Sequence, residues 1–287
     1  MKGYWDLLAG QFQHQQPPLR PCADDIRVFE RIILGWHRRH SPPRINALLF
    51  GVTPEIAGLS WPAGTFLLAV EKSQAMIDLV WPGDIPNQRK VVRGNWLEVE
   101  IEKNSLDLIV GDGFLTGMVY PRQYNQIAEA VSQWLKPGGL LIARLFVRPD
   151  KSDSMEAILG DLENGRIAQF DAFKWRLAMA MQESPEQGVR VDAIYRAWSQ
   201  LENQRPTLPE QAGWPRETVN TIKFYAGRSD IYAFPTIQEL TRAFSAHLEP
   251  MSTTMPDYDF GQSCPILVFR RRIQPASEKV VDPGCQS

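Results

Sequence analysis

The chain predicts a doubly wound α/β fold: a mostly parallel seven-stranded sheet with helices on both faces and a helical insertion before the last two strands. Three observations carry this. Short, continuously apolar runs recur between residues 45 and 147, as strands buried on both faces require. Helical or turn segments separate them, which is the connection that parallel strands need. A helix and two further strand signals follow residue 235 and complete the sheet.

Taken in order, Asp24–Arg39 places Ile26, Phe29, Ile32, Ile33 and Trp36 at spacings of three and four. This predicts an amphipathic helix with Asp24 and Asp25 at its N-terminal end and Ser41-Pro42-Pro43 as its stop. Ile45–Phe50 reads as a strand ending at Gly51, and Thr53 caps a short helix that has Pro54 at its first position. A second cycle has the strand Thr65–Val70, Glu71-Lys72 at its end, and Ser73 opening a helix over Gln74–Val80. Lys90–Val92 is the third strand, leading into Gly94-Asn95-Trp96, and Leu106–Val110 is the fourth, leading into Gly111-Asp112-Gly113. The helix Tyr124–Leu135, the turn Pro137-Gly138-Gly139 and the strand Leu140–Val147 follow.

Between residues 150 and 235 the rhythm breaks into helical patterns at Met155–Leu162, Ile167–Gln182, Val189–Leu201 and near Glu217–Tyr225. The sheet resumes with a helix over Ile237–Ser245 and strands near Leu248–Thr254 and Cys264–Phe269. The expected organisation is therefore an N-terminal helical cap at 1–44, an α/β core at 45–149, a helical insertion at 150–235, the rest of the core at 236–272 and an aperiodic, mobile tail at 273–287. Tyr4 and Trp5 are expected to anchor the N-terminus by packing on the core.

Of 287 residues, 44% are hydrophobic and 22% charged, enough apolar sequence for a sizeable core. A formal charge of -2 excludes a global basic field that would attract nucleic acid. Cys22, Cys264 and Cys285 are scattered and odd in number, which argues against a disulfide framework or a thiolate metal site and fits a reducing cytoplasm. The four histidines show no metal-ligand spacing, so no metal is expected. Neither a signal peptide nor a membrane-spanning apolar run is expected, since acidic and Gln-rich residues interrupt the N-terminus.

In an open parallel sheet, ligands bind beyond the carboxyl ends of the strands, where strand order reverses. Those ends carry Gly51-Val52-Thr53, Glu71-Lys72, Asn95-Trp96 and Asp112-Gly113-Phe114. A glycine admits close approach of a ligand, a terminal acid can accept both hydroxyls of a ribose, and an amide beside an aromatic can pair with and flank adenine. Together they suit a nucleoside.

With those residues in place, the chain resembles the class I S-adenosylmethionine-dependent methyltransferases. The resemblance rests on Leu48-Leu49-Phe50-Gly51-Val52-Thr53-Pro54-Glu55, Ala69-Val70-Glu71-Lys72-Ser73, Gly94-Asn95-Trp96, Leu106 to Gly113 and Leu135-Lys136-Pro137-Gly138-Gly139-Leu140, in that order. It implies a Rossmann-like methyltransferase fold whose last strand is antiparallel, and S-adenosyl-L-methionine as cofactor. It also implies that Gly51 lies against the methionine part, Glu71 binds the ribose hydroxyls, Asn95 meets the adenine amino group beside Trp96, and Asp112 with Gly113 borders the transfer site. Val52, Thr53 and Lys72 belong to the same cofactor-binding set. Arg20, in a Pro-rich turn of the cap, is a candidate partner for the cofactor's carboxylate. Asp112 and Tyr124 are candidate catalytic residues on the acceptor side.

The chain departs from the family's glycine-rich loop, because Val52, Thr53 and Pro54 stand where further glycines often occur. That departure keeps open a non-catalytic module that holds S-adenosylmethionine or S-adenosylhomocysteine. Gly51 and Glu71 alone also suit a NAD-linked dehydrogenase, but the tight glycine-rich phosphate turn of such enzymes is missing. A small-molecule acceptor is expected under the insertion, with no nucleic acid and no membrane partner; oligomeric state and the atom methylated are open.

Overall fold

The computed structural model describes residues 9–272. Tyr4, Trp5, Cys285 and the tail at 273–287 lie outside the described residues. Five parallel strands, β1 (Ile45–Phe50), β2 (Thr65–Glu71), β3 (Arg89–Arg93), β4 (Leu106–Asp112) and β5 (Leu135–Arg144), stand in the order β3-β2-β1-β4-β5. The short pair β6 (Val189–Arg190) and β7 (Ile231–Tyr232) forms a separate ribbon. Strands β8 (Leu248–Thr254) and β9 (Ile266–Arg271) complete the main sheet as β5-β9-β8, with β9 antiparallel to both neighbours. The chain winds outwards from β1 to β3 and then returns to β4, so strand order reverses between β1 and β4.

Because side chains alternate along a strand, β1 feeds two cores. Leu48 and Phe50 pack with α4 (Arg122–Trp134) and α10 (Ile237–Phe244), through Ile127, Val131, Leu240 and Phe244. Ala47 and Leu49 pack on the other face against Phe29, Ile33 and Trp36 of α1 (Ala23–His40). Each helix presents one apolar stripe, at the spacing that the sequence shows. Two shorter helices, α2 (Pro54–Ala57) and α3 (Gln74–Val80), follow β1 and β2. The Ser73 hydroxyl accepts the Met76 amide at the start of α3, as expected of a capping serine.

The insertion has its own core. Its helices α5 (Met155–Glu163), α6 (Phe170–Met181), α7 (Val191–Gln204), α8 (Leu208–Gln211) and α9 (Arg216–Asn220) bury Phe170, Phe173, Trp198 and Trp214 together. The same cluster takes in Phe146 from the chain beyond β5, Phe234 from the end of the insertion and Cys264 from the core's return, so the insertion packs against the sheet. Gln182 clamps this junction: its side chain donates to the Phe234 carbonyl at 2.8 Å and accepts the Phe234 amide at 2.7 Å.

Several boundaries differ from the sequence reading. Strand β5 begins at Leu135, which pairs with Leu106 ahead of a register shift, and ends at Arg144 rather than Val147. Residues Leu145 and Val147 stay buried, but their amides donate to Pro265 and Ser263 outside the strand ladder. Burial persists where pairing stops, and hydropathy reports only burial. The last strand starts at Ile266 rather than Cys264, just after Pro265, which lacks an amide to donate. Val189 lies in the β6–β7 ribbon, too short for any period to show, and not in a helix. Among the described residues no helix is long and apolar enough to cross a membrane.

The N-terminal segment is tied across this framework. The Gln16 amide donates to Asp171 Oδ2 at 3.0 Å, and Thr218 Oγ1 to the His14 carbonyl at 3.2 Å. Asp171 is in turn held by Lys174 Nζ at 2.7 Å, and both side chains are almost completely buried. Removing one partner of such a pair strands a charge in the interior, so Lys174→Met is expected to cost about 3–5 kcal/mol in urea unfolding. The double variant Asp171→Leu/Lys174→Met should recover most of that loss; a single-variant loss below about 1 kcal/mol would contradict the assignment.

Candidate active site

The carboxyl ends of β1 to β5 open into one cleft of 260 Å³, roughly twenty times the space one water needs. From the β3 side to the β5 side its floor carries Asn95 and Trp96, then Glu71 and Lys72, then Gly51, Val52 and Thr53, then Asp112, Gly113 and Phe114, and finally Phe146. All ten strand-end residues expected at a ligand site therefore line one cavity. Phe12, Gln15 and Leu19 of the N-terminal segment and Trp175, Tyr225 and Tyr232 of the insertion close over it.

Local structure explains each position. Gly51 has φ +86°, a left-handed turn that ordinary side chains avoid, and its amide still donates to the Val70 carbonyl at 2.9 Å. The chain thus leaves the sheet abruptly just after β1. A Cβ at Gly51 would stand 3.8 Å from Glu71 Oε2 and 4.0 Å from Trp96, so this glycine keeps open the space between those two side chains. Glu71 ends β2 with its side chain buried, and its Oε1 accepts the Ser73 amide at 2.8 Å, which fixes the carboxylate at the cleft edge. Thr53 stands at the start of α2, but its side chain makes no capping bond there.

Asn95 is used by its own turn: Oδ1 accepts the Leu97 amide at 3.2 Å and Nδ2 donates to Glu98 at 2.8 Å. Its carbonyl oxygen has a second lone pair for a ligand. The Trp96 indole donates to the Val70 carbonyl at 2.7 Å and meets Phe50 and Phe114 edge-on, at 5.7 and 6.0 Å between ring centres. Gly113 also needs to be glycine: its φ is +59° and a Cβ would come within 2.6 Å of the Phe146 ring.

Asp112 is the centre of a buried charge network. It ends β4 directly opposite Arg144 of β5, whose Nε donates to Asp112 Oδ1 at 2.6 Å. The fully buried guanidinium also donates to the Pro18 carbonyl at 2.9 Å and contacts the Tyr258 hydroxyl at 3.3 Å, with Asp25 at 3.8 Å. Burial pushes the Asp112 carboxyl up to about 6 against the pull of Arg144, with Asp25 and Glu55 adding to the push. Burial opposes the charge on Arg144 too, yet the Asp112 carboxylate outweighs it and holds the guanidinium firmly protonated.

Two candidates fall outside the cavity. Tyr124 is buried in α4, its ring edge-on to Tyr120 at 5.2 Å and its hydroxyl 3.4 Å from the Ala233 carbonyl, so it is a core residue. Arg20 pairs with Glu55 of α2 at 2.5 Å and lies over the Phe12 ring at 4.6 Å. That carboxylate takes the guanidinium away from the cleft, and the cap contributes apolar and amide groups instead. The sequence reading missed Phe12, Gln15, Leu19, Met76, Met118 and Gln123 of the wall, because nothing in their local pattern separates a wall from a core. Of the insertion's many aromatics, only Trp175, Tyr225 and Tyr232 reach the cleft. Among the described residues no cluster of His, Cys, Asp and Glu could hold a metal ion.

No protein-family model matches the sequence. The fold itself is shared with solved structures of low sequence identity. The CcbJ methyltransferase from Streptomyces caelestis is similar over 94% of this chain and 98% of its own, with TM-score 0.54 and 13% identity. A Rhodobacter sphaeroides protein provisionally described as a Zn-dependent alcohol dehydrogenase is similar over 94% and 97%, with TM-score 0.55 and 13% identity. At such identity the likeness establishes the architecture: a seven-stranded, mostly parallel sheet of the Rossmann-like methyltransferase type.

The raised Asp112 pKa makes a signed prediction. The folded state binds a proton between the ordinary value of 3.8 and about 6 that the unfolded state has released, so Asp112 contributes less stability as pH rises through that window. Measured by urea unfolding, the stability of the wild type relative to Asp112→Asn should fall by up to about 3 kcal/mol between roughly pH 4 and pH 6. A difference that rises with pH would contradict the assignment.

Proposed function

We propose that this chain binds S-adenosylmethionine across the ends of β1, β2 and β3 and methylates a small-molecule acceptor on the β5 side, beneath the insertion acting as a lid. One observation carries the reading: the buried Glu71 carboxylate, the space kept open by Gly51 and the Asn95-Trp96 turn share a single cavity. That donor set fits a nucleoside, with a carboxylate for two hydroxyls and an amide beside a ring for the base. When bound, S-adenosylmethionine would supply an electrophilic methyl group. The chain's own work is then alignment and exclusion of water, through Asp112, Gly113 and Phe114 in the middle of the cleft and the aromatic residues that cover it. The scattered cysteines keep a cytoplasmic setting part of this proposal.

The antiparallel β9 between β5 and β8 supports this reading over a dehydrogenase, since the usual dinucleotide-binding sheet continues in parallel order. Val52-Thr53-Pro54 in place of a glycine-rich turn supports it too. The same residues favour the second reading, a non-catalytic binder of the cofactor, which transfer of a methyl group to any acceptor would end.

Calorimetric titration of ligand-stripped protein with S-adenosylmethionine, S-adenosylhomocysteine and NAD tests the proposal. Both adenosyl compounds should bind, and Glu71→Ala should weaken them by about ten-fold or more, the scale of a lost hydrogen bond to a charged group. Preference for NAD, or indifference to the substitution, would refute it.

A further inference from the structure

The strand order separates the cleft's charges. Among the described residues its wall holds only three Asp, Glu, Lys, Arg or His side chains, Glu71, Lys72 and Asp112. Glu71 and Lys72 lie at the end of β2, on the far side of β1 from β5. Asp112 lies nearer β5, but it is already paired with the buried Arg144 guanidinium. Beyond Asp112 the wall is built of Phe114, Met118, Phe146, Trp175, Tyr225 and Tyr232, with the uncharged polar side chains of Thr116 and Gln123 beside Met118. Phe146, Trp175 and Tyr232 form a chain of rings with centres 5.2 and 5.3 Å apart.

Such a wall could hold a cation against its ring faces, as aromatic cages do. Here two of the rings are already engaged. Arg144 Cζ stands 5.4 Å from the centre of Phe146 and Lys174 Nζ 5.5 Å from that of Tyr225, and neither cation lines the cleft. A cationic ligand would find those two rings already taken by a cation. An anionic ligand would find both cations buried and neutralised, by Asp112 and Asp171. Among the described residues neither charge would meet a counter-charge on that side that is not already paired, and entering a partly apolar space in that way is costly.

We infer that the β5 side of the cleft is built for an uncharged, planar aromatic molecule, which makes a neutral aromatic compound the methyl acceptor. The inference rests on the methyl-transfer reading for the word acceptor, and on the wall itself for the chemistry. Ring faces and edges supply the recognition, and specificity comes as much from rejecting charge as from contact.

Three probes of one shape test it at neutral pH: 2-naphthol, 2-naphthoate and 2-naphthylmethylammonium, titrated with and without S-adenosylhomocysteine. The neutral probe should bind at least about ten-fold more tightly than either charged one. Gly117 supplies the control, since it lines the cleft and a Cβ there meets nothing within 4 Å. Gly117→Phe should fold normally and weaken 2-naphthol by at least about five-fold, because its ring takes up cleft space. A charged probe that binds as tightly as 2-naphthol, or 2-naphthol binding untouched by Gly117→Phe, would overturn the inference. Failure of S-adenosylhomocysteine to bind in the same titrations would instead count against the methyl-transfer reading and leave the probe ranking to stand or fall separately.

Discussion

A charge that is completely removed from water must be surrounded by partners, and Arg144 is such a charge at the centre of this molecule. Its partners come from four places: Asp112 at the end of β4, the Pro18 carbonyl in the N-terminal segment, Asp25 at the start of α1, and Tyr258 between β8 and β9. Tyr258 also bonds to Asp25 at 3.1 Å, and Asp25 accepts the Cys22 amide at 2.9 Å, which closes the network on itself. Breaking a pair of this kind costs about 3–5 kcal/mol, a large part of a typical domain's stability. The ends of β4 and β5, the cap and the C-terminal return are therefore held together at the place where the cleft opens.

This constraint also shapes the cleft's electrostatics. Arg144 neutralises the one carboxylate in the middle of the floor and sits behind Phe146, while Lys174 with Asp171 does the same behind Tyr225. Two charged side chains, Glu71 and Lys72, lie at the β2 end, and towards β5 the described charges are paired with one another. The two ends of one cavity thus differ in charge, as the proposed pairing of a polar nucleoside with an apolar ring requires.

Ile45–Phe50 was legible in the sequence because both faces of the strand are buried, and it appears with the expected limits; Leu248–Thr254 also appears with the expected limits, although it is an edge strand with most of its residues exposed. The strand-end residues followed from topology, since any parallel sheet must present them together, and Gly51, Glu71, Asn95 and Asp112 do share one cavity. Side-chain partners were not legible. Nothing local marks Glu55 as the partner of Arg20, or Arg144 as that of Asp112, because both contacts join segments that are distant in sequence. Tyr124 looked like an acceptor-side group and is core because α4 turns it towards Tyr120 and the Ala233 carbonyl. The aromatics of the insertion illustrate the same limit, for composition cannot divide Trp198 in the core from Trp175 at the wall.

Amide hydrogen exchange with and without saturating S-adenosylhomocysteine tests the central claim most directly, since it reports every strand-end loop at once. The account expects slower exchange at residues 51–53, 71–73, 94–97 and 112–114, and also at residues 12–20, which lie over the cleft and are tied to Arg144 through Pro18. Unchanged exchange in the loops after β1 and β2, or protection confined to a surface away from the cleft, would contradict it.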